Sequence, residues 1–283
     1  MNTLAALLDW GSGALAVSPQ AQLDATDAYT DAQVLLCFAV QKNRTFLYAF
    51  PETIASDQQI EVFYSAIAER QKGVPVAYIV GEREFWSLAL YCDSSTLIPR
   101  PDTECVVEQV LSQVAVPDCR VVDLGTGTGA IALALATERP NWQITGIDSS
   151  DGAVALAKRN AERHGLNVAF LKGDWLSGCA AASIDVIVSN PPYIAAHDAH
   201  ISQGDLRFEP HTALIAADNG MRDFNQIATQ GMQCLIQGGH VFFEHGYDQQ
   251  TALIKLLQDL GYAQVAGFKD YGGQPRIVSA IKP

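Results

Sequence analysis

From residue 119 onward, short aliphatic and β-branched runs alternate with helical segments, and this alternation constrains the fold more than any other feature of the chain. "CRVVDLG" precedes "TGAIALALATE", and "QITGID" precedes "DGAVALAKRNAERHG"; "NVAFLKGD" and "IDVIVSN" follow. "MRDFNQIATQGMQCLIQGG" leads into "HVFFEHG", and "DQQTALIKLLQDLG" into "AQVAGFKD" and "PRIVSAI". Such alternation predicts a mostly parallel sheet with helices on both faces. Only "YGGQ" joins the last two runs, which is too short for a parallel crossover, so those two strands pair antiparallel. The expected class is α/β, with a Rossmann-like seven-stranded mostly parallel sheet.

Two different textures precede it. Residues 1–75 read as helical: "TDAQVLLCFAVQ" has Asp31 near a start, "DQQIEVFYSAIAERQKG" stops at Gly73, and "LYAFPETI" between them is a loop. This small bundle carries no cluster of catalytic-looking polar residues, which leaves scaffolding or partner recognition as its role. Residues 76–99 hold aromatic and β-branched residues around Gly81 and Asp93-Ser94-Ser95, and read as a β-hairpin linker. The chain thus divides into 1–75, 76–99 and 100–283.

Charge narrows the partners. Thirty-one acidic residues against 18 basic ones give a net charge of −13, which repels phosphate backbones and favours a basic protein partner over nucleic acid. With 48% hydrophobic residues and 17% charged, disorder is excluded. The six cysteines form no C-x-x-C pair and read as free thiols in a reducing compartment. The first basic residue is Lys42, so a basic leader is missing, and no apolar run approaches the ~18 residues of a membrane span. A soluble cytoplasmic monomer is expected. His197 and His200 lie in a polar loop and read as solvated residues rather than metal ligands, and no metal is expected.

The first strand-to-helix junction, "VVDLGTGTGAIALA", places Gly125, Thr126, Gly127, Thr128 and Gly129 in a G-x-G-x-G loop. Bare backbone can approach a ligand there, and a helix N-terminus presents free N–H groups. The next strand ends in Asp148, an acid placed to accept both hydroxyls of a ribose. The third glycine is one place early for the dinucleotide fingerprint, and no P-loop lysine is present. Asp123 before the loop would repel a pyrophosphate and can hold an ammonium. Together these residues favour S-adenosyl-L-methionine over NAD or ATP. "KGDWL" ends the third strand, where Asp174 can accept from an adenine amino group and Trp175 can flank the ring.

The fourth strand ends in Asn190-Pro191-Pro192-Tyr193, an unusual strand end because proline donates no hydrogen bond and fixes φ. In the order "DLGTGTG", "GID", "GDW", "NPPY" the chain resembles the class I methyltransferases that act on amino groups. With "VAYIVGEREFW", "LIPRPDTE", "FEPHTAL" and "FEHG" it resembles, over nearly its whole length, the glutamine N5-methyltransferases that modify peptide chain release factors, the HemK/PrmC family. Its sister group, acting on a ribosomal-protein glutamine, is the nearer alternative; methyltransferases of exocyclic amines in RNA or DNA share only the NPPY element, and a non-catalytic binding module lacks a reason to keep it.

The resemblance implies a helical substrate-recognition domain, a hairpin linker and an S-adenosylmethionine-dependent catalytic domain. It implies that Gly125 through Gly129 line the methionine part of the cofactor, that Asp148 binds the ribose and that Trp175 sits by the adenine. Asn190, Pro191, Pro192 and Tyr193 would hold the substrate glutamine, with Asn190 also near the cofactor; Arg100, Thr103 and Glu104 would stand beside the methionine end. Phe208 departs from the tyrosine expected in the "FEP" element, and "AADNG" lacks an expected glycine. The chain's own "GGQ", residues 272–274, duplicates the loop that carries the target glutamine in release factors, but two glycines between two strands read as a turn.

Overall fold

The computed structural model describes residues 2–283, except for the side chain of His200, and its contacts divide it into two units. The first comprises residues 2–82 together with Ser202–Phe208. Its main helices are Leu4–Ala16, Ala25–Val40 and Asp57–Gln71, with short helices at Arg44–Ala49 and Val76–Val80. Local chemistry sets their ends. Asp24 accepts from the N–H groups of Thr26 and Asp27, and Ser56 and Gln59 form a capping box. The second helix therefore starts six residues before Asp31, and the stretch read as a loop, residues 47–54, begins inside the helix Arg44–Ala49 that Asn43 caps and leaves it at Phe50.

Leu4, Leu7, Leu15, Leu35, Leu36, Phe63 and Ile67 form this unit's core. A Cβ on Gly11 would lie 2.6 Å from Phe63 Cζ, so glycine is what lets the first helix sit on that ring. Asp31 is not a helix-start residue but an ion-pair partner: its Oδ2 accepts from Arg70 Nε at 2.7 Å, and Arg70 Nη1 donates to Asp205 Oδ1 at 3.0 Å. Burial raises the Asp31 carboxyl, and Arg70 offsets part of that. Arg207 Nη2 donates to Gln20 O at 2.8 Å, so Ser202–Phe208 is tied into this helical unit although it is more than a hundred residues away in sequence.

The second unit comprises Arg83–Ile201 and Glu209–Pro283. A hairpin of β1 (Glu82–Phe85) and β2 (Leu88–Tyr91) turns at Trp86 and Ser87, both with positive φ. Two consecutive positive φ values match the twist of a tight hairpin. Neither residue is usual turn chemistry, which is why the sequence points to Gly81 and Asp93–Ser95 instead. Trp86 is anchored at its backbone N–H by Glu104 Oε1 (2.9 Å) and at Nε1 by Glu138 Oε1 (2.8 Å).

The remaining strands are β3 (Arg120–Leu124), β4 (Gln143–Asp148), β5 (Ala169–Lys172), β6 (Ile184–Ser189), the two-residue β7 (Ile194–Ala195) and β8 (Ile215–Ala216), β9 (Leu235–Glu244), β10 (Ala263–Lys269) and β11 (Pro275–Ile281). Seven of them form one sheet in the order β10-β11-β9-β6-β3-β4-β5. β9, β6, β3, β4 and β5 pair parallel, and β11 pairs antiparallel with both neighbours. The central strands are buried almost throughout, as a sheet covered on both faces requires. The helix Ala130–Glu138, buried along most of its length, belongs to the core cluster on one face; the helix Arg222–Cys234 contributes Phe224, Ile227 and Ala228 to the cluster on the other. The strand order reverses between β3 and β6, and a ligand crevice forms outside the strand C-termini at such a switch point. Gly125 and Asn190 both follow those ends.

Candidate active site

The glycine loop is built from backbone. Gly125 and Thr126 N–H donate to Ile147 O at 2.9 and 3.1 Å, and Gly129 N–H donates to Thr126 O at 2.8 Å. Gly125, Gly127 and Gly129 all have positive φ, a conformation that explains glycine at each. Asp148 accepts from Gly127 N–H at Oδ2 (3.0 Å) and from Ser150 N–H at Oδ1 (2.9 Å). It thereby holds its own carboxylate against the loop.

Asp123 is placed differently from the ammonium-binding position its sequence context suggests. It lies beneath the loop, 1% exposed and outside the wall of the cleft. Its Oδ2 accepts from Thr126 Oγ1 at 2.6 Å and from Ala132 N–H at 3.2 Å. Burial pushes this carboxyl up to about 7, with the Thr126 and Ala132 bonds pulling the other way and Asp148 adding to the rise. Asp123 thus ties loop to helix from within.

Above the loop lies a cleft of about 470 Å³, lined on one side by Gly125–Thr128 and Asp148 and on another by Asp174 and Trp175. Thr96, Pro99, Arg100 and Thr103 form the upstream wall; Asn190, Pro192, Thr212, Ala213 and Ile215 close another, and Arg222, Asp223 and Gln226 complete it. A cleft of this size with a flat aromatic, a ribose-competent carboxylate and bare backbone fits a nucleoside with an amino-acid tail. Glu104 is not in this wall, being committed to Trp86.

The Asn190–Tyr193 segment continues β6, whose Ser189 Oγ donates to Leu124 O at 2.8 Å. Asn190 and Pro192 face the cleft; Pro191 is buried and lies outside the cleft wall. Asn190 Nδ2 donates to Thr103 Oγ1 at 3.3 Å, which leaves Oδ1 as the acceptor of that amide. Tyr193 stands behind the wall, with its ring against the core cluster that contains Phe243 and Leu253. Its backbone carbonyl accepts from Gln249 Nε2 at 2.9 Å, and its Oη lies 3.4 Å from Glu244 Oε1.

Sequence reasoning gave several supporting residues no role. Asn160, 0% exposed, exchanges bonds with both the N–H and the O of Tyr91 (2.7 and 3.2 Å) and donates to Thr128 O at 2.9 Å, joining the hairpin to the glycine loop. A buried amide with all of these groups engaged is a rigid clasp. The buried Glu209 carboxylate pairs with Arg100 and accepts from Ile98 N–H at 3.1 Å, fixing the upstream wall. Arg222, Asp223 and Gln226 reach the cleft through a helix start whose apolar pattern signals only packing. Glu244, 2% exposed at the end of β9, is pushed up to about 7 by burial, against the pull of the Thr103 hydroxyl and the Arg276 guanidinium.

Other expectations have simple outcomes. His197 is exposed, and the side chain of His200 lies outside the described residues. No metal-binding cluster occurs among the described residues, and all six cysteines are free thiols. No helix among the described residues is long and apolar enough to cross a membrane. Residues 272–274 sit in the β10–β11 turn, where Asp270 N–H donates to Gln274 O at 2.9 Å and Gln274 N–H to Asp270 Oδ1 at 2.9 Å.

Comparison with known proteins gives consistent matches. A family model described as "Methyltransferase small domain" matches residues 102–206, and one described as "PrmC N-terminal domain" matches residues 6–81. The release factor glutamine methyltransferase of Salmonella typhimurium is 48% identical over 255 residues, 90% of this chain and 92% of that relative. The protein of the same name from Shewanella oneidensis is 47% identical over 276 residues, 97% of this chain and 94% of its own length. Among solved structures, a methyltransferase from Pyrococcus furiosus aligns with a TM-score of 0.53 at 20% identity, covering 69% of this chain and 89% of that one, which supports the fold.

Proposed function

Because this chain belongs to the release factor glutamine methyltransferase family, we propose that it methylates the side-chain nitrogen of the glutamine in the Gly-Gly-Gln loop of peptide chain release factors, with S-adenosyl-L-methionine as donor. The observation that carries this reading is 48% identity over 90% of the chain to a relative of that name. The cofactor, when bound, supplies an electrophilic methyl group on a sulfonium. Gly125–Thr128 would line its methionine part, with Gly129 outside the wall and packed on Phe170; Asp148 would accept from the ribose hydroxyls, and Trp175 would flank the adenine.

An amide nitrogen is a weak nucleophile because its lone pair is delocalised into the carbonyl. The chain's task is therefore to orient it. Asn190 Oδ1 and the backbone carbonyl of Pro191 would accept the two amide hydrogens and aim the nitrogen into the cleft. Pro191 and Pro192 hold that geometry at low ordering cost. Tyr193 would back the Asn190–Pro192 segment from behind the cleft wall, and the excess proton would pass to water after transfer. The helical unit would recognise the substrate. The net charge of −13 favours a basic protein partner over nucleic acid; the enzyme would act as a cytoplasmic monomer.

The test is incubation of the full chain with labelled cofactor and, in separate reactions, release factor, ribosomal proteins, RNA and DNA, followed by peptide mapping. Label on the release-factor glutamine is expected. Label confined to ribosomal protein or nucleic acid rejects the reading.

A further inference from the structure

Asn190 can serve as an acceptor only if its amide faces one way. Reversed, it would present an NH2 to the substrate's NH2, and the two would repel. Its orientation is fixed by Thr103 Oγ1, which accepts from Nδ2 at 3.3 Å. A hydroxyl that accepts from the asparagine must send its own proton elsewhere. The acceptor within reach is the carboxyl of Glu244, on which the Thr103 side chain acts and whose buried Oε2 lacks a donor.

Glu244 also takes the Tyr193 hydroxyl at Oε1 (3.4 Å), and its Oε2 is buried without a partner in hydrogen-bonding geometry. The carboxyl therefore lies at the Tyr193 hydroxyl without lining the cleft. Nothing in a packed core requires an acid there, and an acid left in such a place needs a reason.

We propose that Glu244 is a positioning residue: its carboxylate accepts from the Thr103 and Tyr193 hydroxyls, and through Thr103 it sets the direction of the Asn190 amide. The relay runs Asn190 Nδ2–H to Thr103 Oγ1, and Thr103 O–H to Glu244. This rests on the amide-clamp reading given above.

The relay works with Glu244 ionised. Protonated, the carboxyl becomes a donor, which can turn the Thr103 hydroxyl round and with it the amide. The charged and titratable groups around Glu244 are few. Tyr193 stands on one side; its hydroxyl is raised by burial first and by the Glu244 charge second. Arg276 on β11 lies beyond, donating to His245 O (3.3 Å) and to Asp270 Oδ2 (3.2 Å), with Asp102 Oδ2 at 3.8 Å. Burial lowers His245 beside it. Arg276 favours the ionised form of Glu244, and Asp102 opposes it.

The decisive experiment compares wild type with Glu244→Gln and the Thr103→Val and Thr103→Ser pair. Wild-type kcat on release factor should rise with pH through an inflection near the Glu244 value of about 7. Glu244→Gln, of the same shape, should lose that inflection and drop kcat roughly tenfold, the weight of one hydrogen bond in a buried network. Cofactor affinity and KM should move much less. Thr103→Ser should keep activity that Thr103→Val loses. Independently of turnover, the Asn190 side-chain NH2 and Tyr193 Cζ resonances should titrate together in wild type and stop doing so in Glu244→Gln. Resonances that do not titrate, or a Glu244→Gln variant with wild-type kcat and the same inflection, overturn the relay. A wild type that fails to label release factor while those resonances titrate rejects the substrate reading alone.

Discussion

Gly146 on β4 carries a steric argument that a single methyl group can test. A Cβ placed there would stand 2.5 Å from both Cδ1 and Cε1 of Phe170 and 2.7 Å from Thr126 Oγ1. Phe170 is 2% exposed, and its Cζ would be only 3.0 Å from a Cβ on Gly129, so the ring packs on that bare backbone too. Two glycines thus cradle one ring. Thr126 is equally constrained through its 2.6 Å bond to Asp123. Overpacking of this kind costs about 1–3 kcal/mol. At ~2–4 °C per kcal/mol for a chain of this size, Gly146→Ala should lower Tm by about 2–12 °C. Displaced Thr126 would also distort the glycine loop, so cofactor affinity measured by calorimetry should fall. Shortening the opposing ring with Phe170→Leu in the same background should recover part of the loss, a coupling of roughly 0.5–3 kcal/mol between the two sites. A Gly146→Ala protein that melts within about 1 °C of wild type, or a double variant whose losses simply add, would refute the cradle.

Other outcomes follow from the same structure. Asn190→Ala should abolish methyl transfer while leaving cofactor binding mostly intact; full activity would sink the amide clamp. Asp123 is raised from 3.8 to about 7, so the native state binds its proton more tightly than the unfolded chain. Its contribution to stability is present at low pH and is lost as pH climbs from 3.8 through about 7; Asp123→Asn should flatten that segment of the Tm-against-pH curve. Arg70 is bonded to Asp31, Asp205 and the carbonyls of Gly73 and Val74, so Arg70→Ala should destabilise the helical unit by about 3–5 kcal/mol in urea titration, and an unchanged midpoint would contradict the buried pairing.

Much of this protein was legible before any coordinates. The seven-stranded sheet follows from run length and apolarity, because strands covered on both faces have to be apolar throughout. The antiparallel end follows from the four-residue connector between the last two runs. The glycine loop was legible because a strand-to-helix junction of positive φ demands glycine at 125, 127 and 129, and Asp148 because it ends the next strand. Asn190 was legible because two prolines after a buried strand have little structural purpose. Local chemistry was less informative where tertiary contacts overrode it. Trp86 and Ser87 turn the hairpin because Glu104 and Glu138 hold the tryptophan. Asp123 looks like a ligand-facing acid and is a buried strut.

The sequence by itself therefore determined the layered sheet, the position of the glycine loop and the place of the Asn190–Tyr193 segment, all of which depend on spacing along the chain. Only the tertiary structure decided which distant residues support that segment. Thr103 meets Asn190 across 87 residues of chain, Tyr193 reaches Glu244 across 51, and Arg100 finds Glu209 across 109. A hydrogen-bond partner is chosen by distance and direction in space, and periodicity carries no record of either.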